Sequence, residues 1–170
     1  DGRNFMDASE RTYDVISSVP PNIWVSGVSG LFTREFYVSA KRHLKPGGIL
    51  CQWTPLHEFE RDDLRVALRT ITSVFPHAAA WVSGSDVIIL ASDRPLQADP
   101  ARVAARLGVP AVARDFAEIG IPLQQVPALL GKPDFRPAGF SDQGGDEVNV
   151  DDRPILEFRT ARNLFTFNKR

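Results

Sequence analysis

The stretch YDVISSVPPNIWVSGVSGLFTREFY, Tyr13 to Tyr37, decides the fold. Tyr13 to Ser18, with Val15 and Ile16, reads as a buried strand that Pro20-Pro21 must stop, because proline removes a backbone donor and fixes φ. Leu31 to Leu44 reads as an amphipathic helix, since Leu31, Phe32, Phe36, Ala40 and Leu44 recur at three- and four-residue spacings. Ser29 and Thr33 are its candidate caps. Lys41, Arg42, His43 and Lys45 stand where the macrodipole favours cations, and Pro46-Gly47-Gly48 ends it. Between strand and helix runs a loop, Ser17 to Gly30, with two prolines, two glycines, four serines and one Trp. It leaves the carboxyl end of the strand.

Outward from this unit the alternation continues. Ile49 to Trp53 is a short apolar run of buried-strand type. Glu60 to Val74 is a second helix, with Leu64, Ala67, Leu68, Ile71 and Val74 on one face. Ala78 to Val82 and Asp86 to Ala91 form a hairpin around Ser83-Gly84-Ser85. Residues 3 to 10 suggest a short helix. This order predicts an α/β layer, a parallel sheet whose last pair is antiparallel. After Ser92 three short helices are expected, Pro100 to Leu107, Val112 to Ile119 and Leu123 to Leu130. A Gly-, Pro- and Asp-rich loop from Lys132 to Val150 follows. Asp151-Asp152-Arg153-Pro154 reads as a turn, Ile155 to Phe158 as a closing strand, and Thr160 to Arg170 as a basic, aromatic tail that frays. The expected divisions are 1–93, 94–148 and 149–170.

The 170 residues suit one domain with an appendage, and 43% hydrophobic residues suffice for a core. Twenty basic against 21 acidic residues give a net charge of −1, which implies no nucleic-acid partner. One cysteine excludes an internal disulfide and a multi-thiolate metal site and fits a reducing, cytoplasmic location. No run of about eighteen apolar residues is present to span a bilayer. The chain opens on Asp1 rather than Met, with no apolar run behind it, so we expect no signal peptide and a piece of a longer sequence.

In open α/β sheets, ligands bind in the crevice beyond the carboxyl ends of the strands. The Ser17–Gly30 loop and the Gln52-Trp53 pair leave adjacent strands at that edge. A polar amide beside an indole, facing a serine-rich loop, suits a ligand with a flat apolar part and hydrogen-bonding groups. The plainer alternative has Trp24 and Trp53 closing the sheet end while the serines satisfy turn amides.

The chain resembles the spermidine synthase family, most closely its bacterial members fused to a membrane-spanning region. The likeness is carried by Asp1-Gly2-Arg3-Asn4-Phe5, Tyr13-Asp14-Val15-Ile16, Asn22, Trp24-Val25-Ser26-Gly27, Leu31-Phe32-Thr33-Arg34-Glu35-Phe36-Tyr37, Leu44-Lys45-Pro46-Gly47-Gly48 and Cys51-Gln52-Trp53. It resumes in Asn149, Asp151-Asp152-Arg153-Pro154 and Leu156-Glu157-Phe158. The resemblance implies part of an S-adenosylmethionine-dependent methyltransferase-like (Rossmann-like) sheet with a helical carboxyl-terminal extension. It implies transfer of an aminopropyl group from decarboxylated S-adenosylmethionine to an amine, without a metal. Asp1, Gly2, Ser18 and Val19 would then line the nucleoside, and Trp24, Gln52, Trp53 and His57 the acceptor pocket. The glycine-rich nucleotide loop of the family does not occur in this sequence, so the amino-terminal half of the domain is an expected partner.

One departure bears on chemistry. The family places two acids after this strand, and by count from Tyr13 their positions hold Val19 and Asn22. A carboxylate can hold an ammonium and accept a proton from the attacking nitrogen; valine does neither, and Asn22, the one candidate catalytic residue, only exchanges hydrogen bonds. Rival readings are therefore a disabled nucleoside- or polyamine-binding regulatory module, and a methyltransferase using S-adenosylmethionine itself. Elsewhere, His43, His57 and His77 are too dispersed to suggest a metal triad. Cys51 reads as a small core residue. Asp151-Asp152-Arg153 reads as a ligand pair or, more simply, as a solvated turn with an internal ion pair. The tail's Arg159, Arg162, Lys169 and Arg170, beside Phe165 and Phe167, read as touching a lipid headgroup or another domain or, more simply, as a frayed terminus.

Overall fold

The hairpin sets the sheet order. In the computed structural model, which describes residues 2–129, 133–134, 136 and 145–167, β1 (Tyr13–Ser18), β2 (Leu44–Pro55), β3 (His77–Ser83) and β4 (Asp86–Ser92) form one sheet in the order β1-β2-β4-β3. β1 and β2 are parallel, and β4 runs antiparallel between β2 and β3. The two-residue turn Gly84-Ser85 keeps Ser83 opposite Asp86, and Gly84 takes the left-handed φ of 59° that such tight turns demand.

β2 is longer than the five-residue run Ile49 to Trp53, because Leu44 already pairs with Tyr13. Register then slips before Val15 meets Ile49, and Lys45 to Gly48 bulge outward. Gly47 enters the left-handed region at φ 79° and donates its N–H to Asp93 at 2.9 Å. A Cβ on Gly48 would lie 2.9 Å from the Lys45 carbonyl, so only glycine fits beside β1 there. The Leu44-Lys45-Pro46-Gly47-Gly48 run is thus a device for starting a strand directly from a helix end.

Two helices cover one face. α2 (Arg34–His43) is capped by Thr33, whose Oγ1 accepts from Phe36 N at 3.4 Å. α3 (Arg61–Thr72) starts with a capping box between Glu60 and Asp63. Phe36, Tyr37 and Ala40 of α2 and Leu68 and Ile71 of α3, with Phe75 after it, bury against Leu50, Ala80, Val87, Ile89 and Ala91 of the sheet. α1 (Gly2–Asp7) adds Met6 to that core. A second cluster joins Ile23 and Phe32 of the loop region to Val66, Ala67 and Leu156.

Two expectations are corrected. Ile155 to Phe158 is no closing strand but the first turn of a 13-residue helix, Ile155–Phe167. The segment read as a frayed tail continues that helix, and Lys169 and Arg170 lie outside the described residues. The chain forms two units: residues 1–96 with 134–170, and Gln97–Pro133. The second holds α4 (Pro100–Leu107), α5 (Pro110–Glu118) and, after a short 3-10 turn, α6 (Val126–Leu129). Asp99 caps α4 by accepting from Ala101 N and Arg102 N. The Ile155–Phe167 helix, in the first unit, is α7.

Candidate functional site

β1 and β2 end side by side. Ser17 pairs with Cys51 and Ser18 with Gln52. Alternation along the strands puts Ser18, Gln52 and Thr54 on the face of Ile16, Leu50 and Ile89, the side covered by α2 and α3. All three are buried, with exposures of 7%, 0% and 0%. Gln52 donates its side-chain N–H to the Trp53 carbonyl at 2.9 Å. Its Oε1, the Ser18 Oγ and the Thr54 Oγ1 have no hydrogen-bond partner among the described residues. Buried polar atoms are nearly always partnered, and here three orphans gather on one strand-end face.

The loop beyond Ser18 has a loose half and a held half. Val19 is 69% exposed, Asn22 is exposed, and Trp24 is 37% exposed. Ile23 between them is fully buried and anchors the turn. From Gly27 onward the loop is tied down. Ser29 Oγ donates to Glu157 Oε2 at 2.7 Å, and Gly27 N donates to the same oxygen at 3.4 Å. Asn149 Nδ2 donates to Ser29 O at 3.3 Å, and Arg3 donates to Gly30 O at 3.0 Å. Sequence reasoning passed over Glu157 and Asn149 as site supports. Thr54 was legible as a member of the site: it stands two residues beyond Gln52, on the same face of any strand that continues past Trp53.

The remaining candidates divide. Trp53 is half-buried on the opposite face from Gln52, and His57 is exposed in the 3-10 turn Leu56–Glu58 that follows β2. Gly2 is the first residue of α1, and Asp1 lies outside the described residues. The strand ends therefore bring together Ser18, Gln52 and Thr54, with Val19 and Asn22 in the exposed start of the loop.

Asp151 belongs to no internal ion pair of the turn. Arg3 grips it with both guanidinium arms, at 2.9 and 2.5 Å, and Asp151 N donates to Glu35 at 3.0 Å. The Arg3 bond holds the Asp151 carboxyl below its ordinary range and raises the Arg3 guanidinium further. Cys51 is half-buried, on the face turned away from Leu50 and Gln52 rather than in the core, and burial raises its thiol against a smaller opposing effect of Ser17. Among the described residues no group of three His, Cys, Asp or Glu is arranged to hold a metal ion, and no helix is long and apolar enough to cross a membrane.

Comparison with known proteins addresses the same region. Residues 1–83 match the model of the spermine/spermidine synthase domain. This part of the chain is similar to that domain. Among solved structures, a probable spermidine synthase from Corynebacterium glutamicum ATCC 13032 superposes with a TM-score of 0.50 at 17% identity. The match covers 89% of this chain and 52% of that one. Spermidine synthase from Thermotoga maritima gives 0.48 at 23% identity, over 61% and 38% of the two chains. The chain thus spans about half the length of the first of these. No curated protein sequence matches it. The mixed α/β fold is the methyltransferase-like fold of spermidine synthases, present in part.

Proposed function

We propose that this chain is the acceptor-side half of a transferase domain that takes an S-adenosylmethionine-type nucleoside and passes an aminopropyl or related alkyl group to an amine. The carrying observation is the pair of strand ends where Ser18, Gln52 and Thr54 bury unpartnered oxygens beneath the start of the spermidine-synthase-like loop. In such a transfer a neutral nitrogen attacks the carbon on the sulfonium. The new C–N bond forms as C–S breaks, the thioether nucleoside leaves, and the nitrogen releases a proton. Val19 and Asn22 supply no carboxylate, so that proton would pass to water. The other half of the domain would bring the nucleotide loop, and the outer edge of β1, which no strand among the described residues pairs, is where it would dock. A fused membrane region and a cytoplasmic location accompany this reading.

The test is thermal melting of the intact protein with methylthioadenosine, S-adenosylmethionine and its decarboxylated form. A ligand at one hundred times its dissociation constant adds roughly 2.7 kcal/mol. Preference for the decarboxylated form supports aminopropyl transfer; preference for the carboxylated form turns the reading to methyl transfer. Absence of any shift removes the enzyme.

The exposure of Val19 and Asn22 in place of two acids favours one second reading, a disabled module that still binds nucleoside. Val19→Asp with Asn22→Asp in the intact protein decides it. Putrescine-dependent turnover gained only by the double variant identifies a disabled synthase; turnover already present without it sinks that reading.

A further inference from the structure

The three orphaned atoms say more about the acceptor than about the transfer. Gln52 has already spent a donor on the Trp53 carbonyl, and what it leaves unmatched is an acceptor oxygen. Ser18 and Thr54 add hydroxyls that both accept and donate. The set is rich in neutral oxygens. The acids of these strands lie elsewhere. Asp14, at the amino end of β1, is exposed and bonded to Lys45 at 2.8 Å, roughly 13 Å along the strand from Ser18. Asp86 stands opposite Pro55, and alternation turns it away from the face of Val87 and Thr54. An ammonium drawn into this buried place would lose its hydration without a counter-charge, a cost that neutral oxygens repay poorly. A hydroxyl fits: it donates to Gln52 Oε1 and accepts from a serine or threonine hydroxyl.

We propose that Ser18, Gln52 and Thr54 form the subsite for the uncharged end of the acceptor, so that the substrate class is an amino alcohol rather than a diamine. This rests on reading the β1 and β2 ends as the transfer site. It assigns Thr54 a binding role and gives Gln52 the part of choosing between a hydroxyl and an ammonium.

The experiment is calorimetric titration of the intact protein with two probes of equal length, 4-aminobutan-1-ol and 1,4-diaminobutane, each with and without methylthioadenosine. The amino alcohol is expected to bind at least tenfold more tightly. Gln52→Glu, which keeps the shape and adds a charge, should reverse the order. Thr54→Val should weaken the amino alcohol about tenfold, the worth of one hydrogen bond in a buried site, while the unliganded protein melts no lower than before. Equal affinities, a preference for the diamine, or no binding of either probe overturns the proposal. So does a Thr54→Val protein that melts lower, since the hydroxyl would then hold the fold rather than a ligand. The nucleoside melting shift is read separately. Its loss with amino alcohol binding intact removes the transferase reading and leaves the subsite, and the reverse result removes the subsite alone.

Discussion

Two buried polar clusters in this chain are built alike and finished differently. Asn149 is fully buried, and each of its hydrogen-bonding groups is engaged. Its N–H goes to Thr70 Oγ1 at 2.9 Å, its carbonyl receives Arg34 N at 2.9 Å, its Nδ2 reaches Ser29 O, and its Oδ1 receives Leu156 N at 3.2 Å. Ser18, Gln52 and Thr54 are just as buried and keep three oxygens unmatched. A satisfied buried network rigidifies, whereas an unsatisfied one costs stability and persists where function uses it. The first cluster therefore joins α2, α3, α7 and the loop, and the second waits at the sheet end. Opposite responses to losing a polar group follow.

The largest effect is expected at Asn149. Asn149→Leu keeps the volume but strands Ser29 O and the first-turn N–H of Leu156, each costing on the order of 1–3 kcal/mol. A loss of about 3 kcal/mol, or roughly 10 °C in melting temperature for a chain of this size, is the outcome to measure. A change below 1 kcal/mol would mean that the two clusters do not differ as described.

Glu157 comes next, because it holds the same loop from α7. Glu157→Ala removes the acceptor of Ser29 Oγ and Gly27 N. A charge-assisted pair in partly exposed surroundings is worth about 1.5 kcal/mol. Hydrogen exchange sharpens the reading: the amides of Val28 and Gly30 should exchange about tenfold faster, while those of β2 stay protected. Uniform acceleration would place the effect in global stability instead of the loop.

Much of this architecture was legible from spacing alone. The strand–helix–strand–helix–hairpin order follows from apolar periodicities in Leu31–Leu44 and Glu60–Val74 and from Ser83-Gly84-Ser85. The α7 helix was not legible. A four-residue apolar run such as Ile155 to Phe158 does not separate strand from helix. The buried positions that continue it at helical spacing, Thr160 and Asn163 after Leu156, are polar and break the pattern. Thr160 bonds back to the Leu156 carbonyl, and Asn163 donates to Asp63, the partner in the α3 capping box. Half of the site was likewise readable, since Ser18 and Gln52 stand at strand ends. The long-range supports were not, because no local pattern tells that Arg3 will reach Asp151.

That Arg3–Asp151 pair ranks third and adds a pH test. Folding lowers the carboxyl of Asp151, first through its hydrogen bond to Arg3. Its contribution is thus complete above the ordinary value of 3.8 and is lost as pH falls through the lower folded value. Both side chains are partly exposed, at 21% and 38%, so screening limits the pair to about 1 kcal/mol. Arg3→Leu should lower stability by that amount at neutral pH and flatten the decline below pH 3.8. An unchanged acid limb would assign that decline to other carboxylates.

The smallest change carries the opposite sign. Ser18→Ala deletes one orphaned hydroxyl and leaves no partner behind, since none exists among the described residues. Where Asn149→Leu exposes two unpaired backbone groups, this substitution removes an unpaired group that burial had already penalised. The transfer energetics of a hydroxyl favour the alanine by up to about 1 kcal/mol, against a small loss of packing. The unliganded variant should melt at the wild-type temperature or up to about 3 °C above it. A drop of that size would show that Ser18 belongs with Asn149 among the groups that hold the fold, and would leave only Gln52 and Thr54 to define the sheet-end subsite.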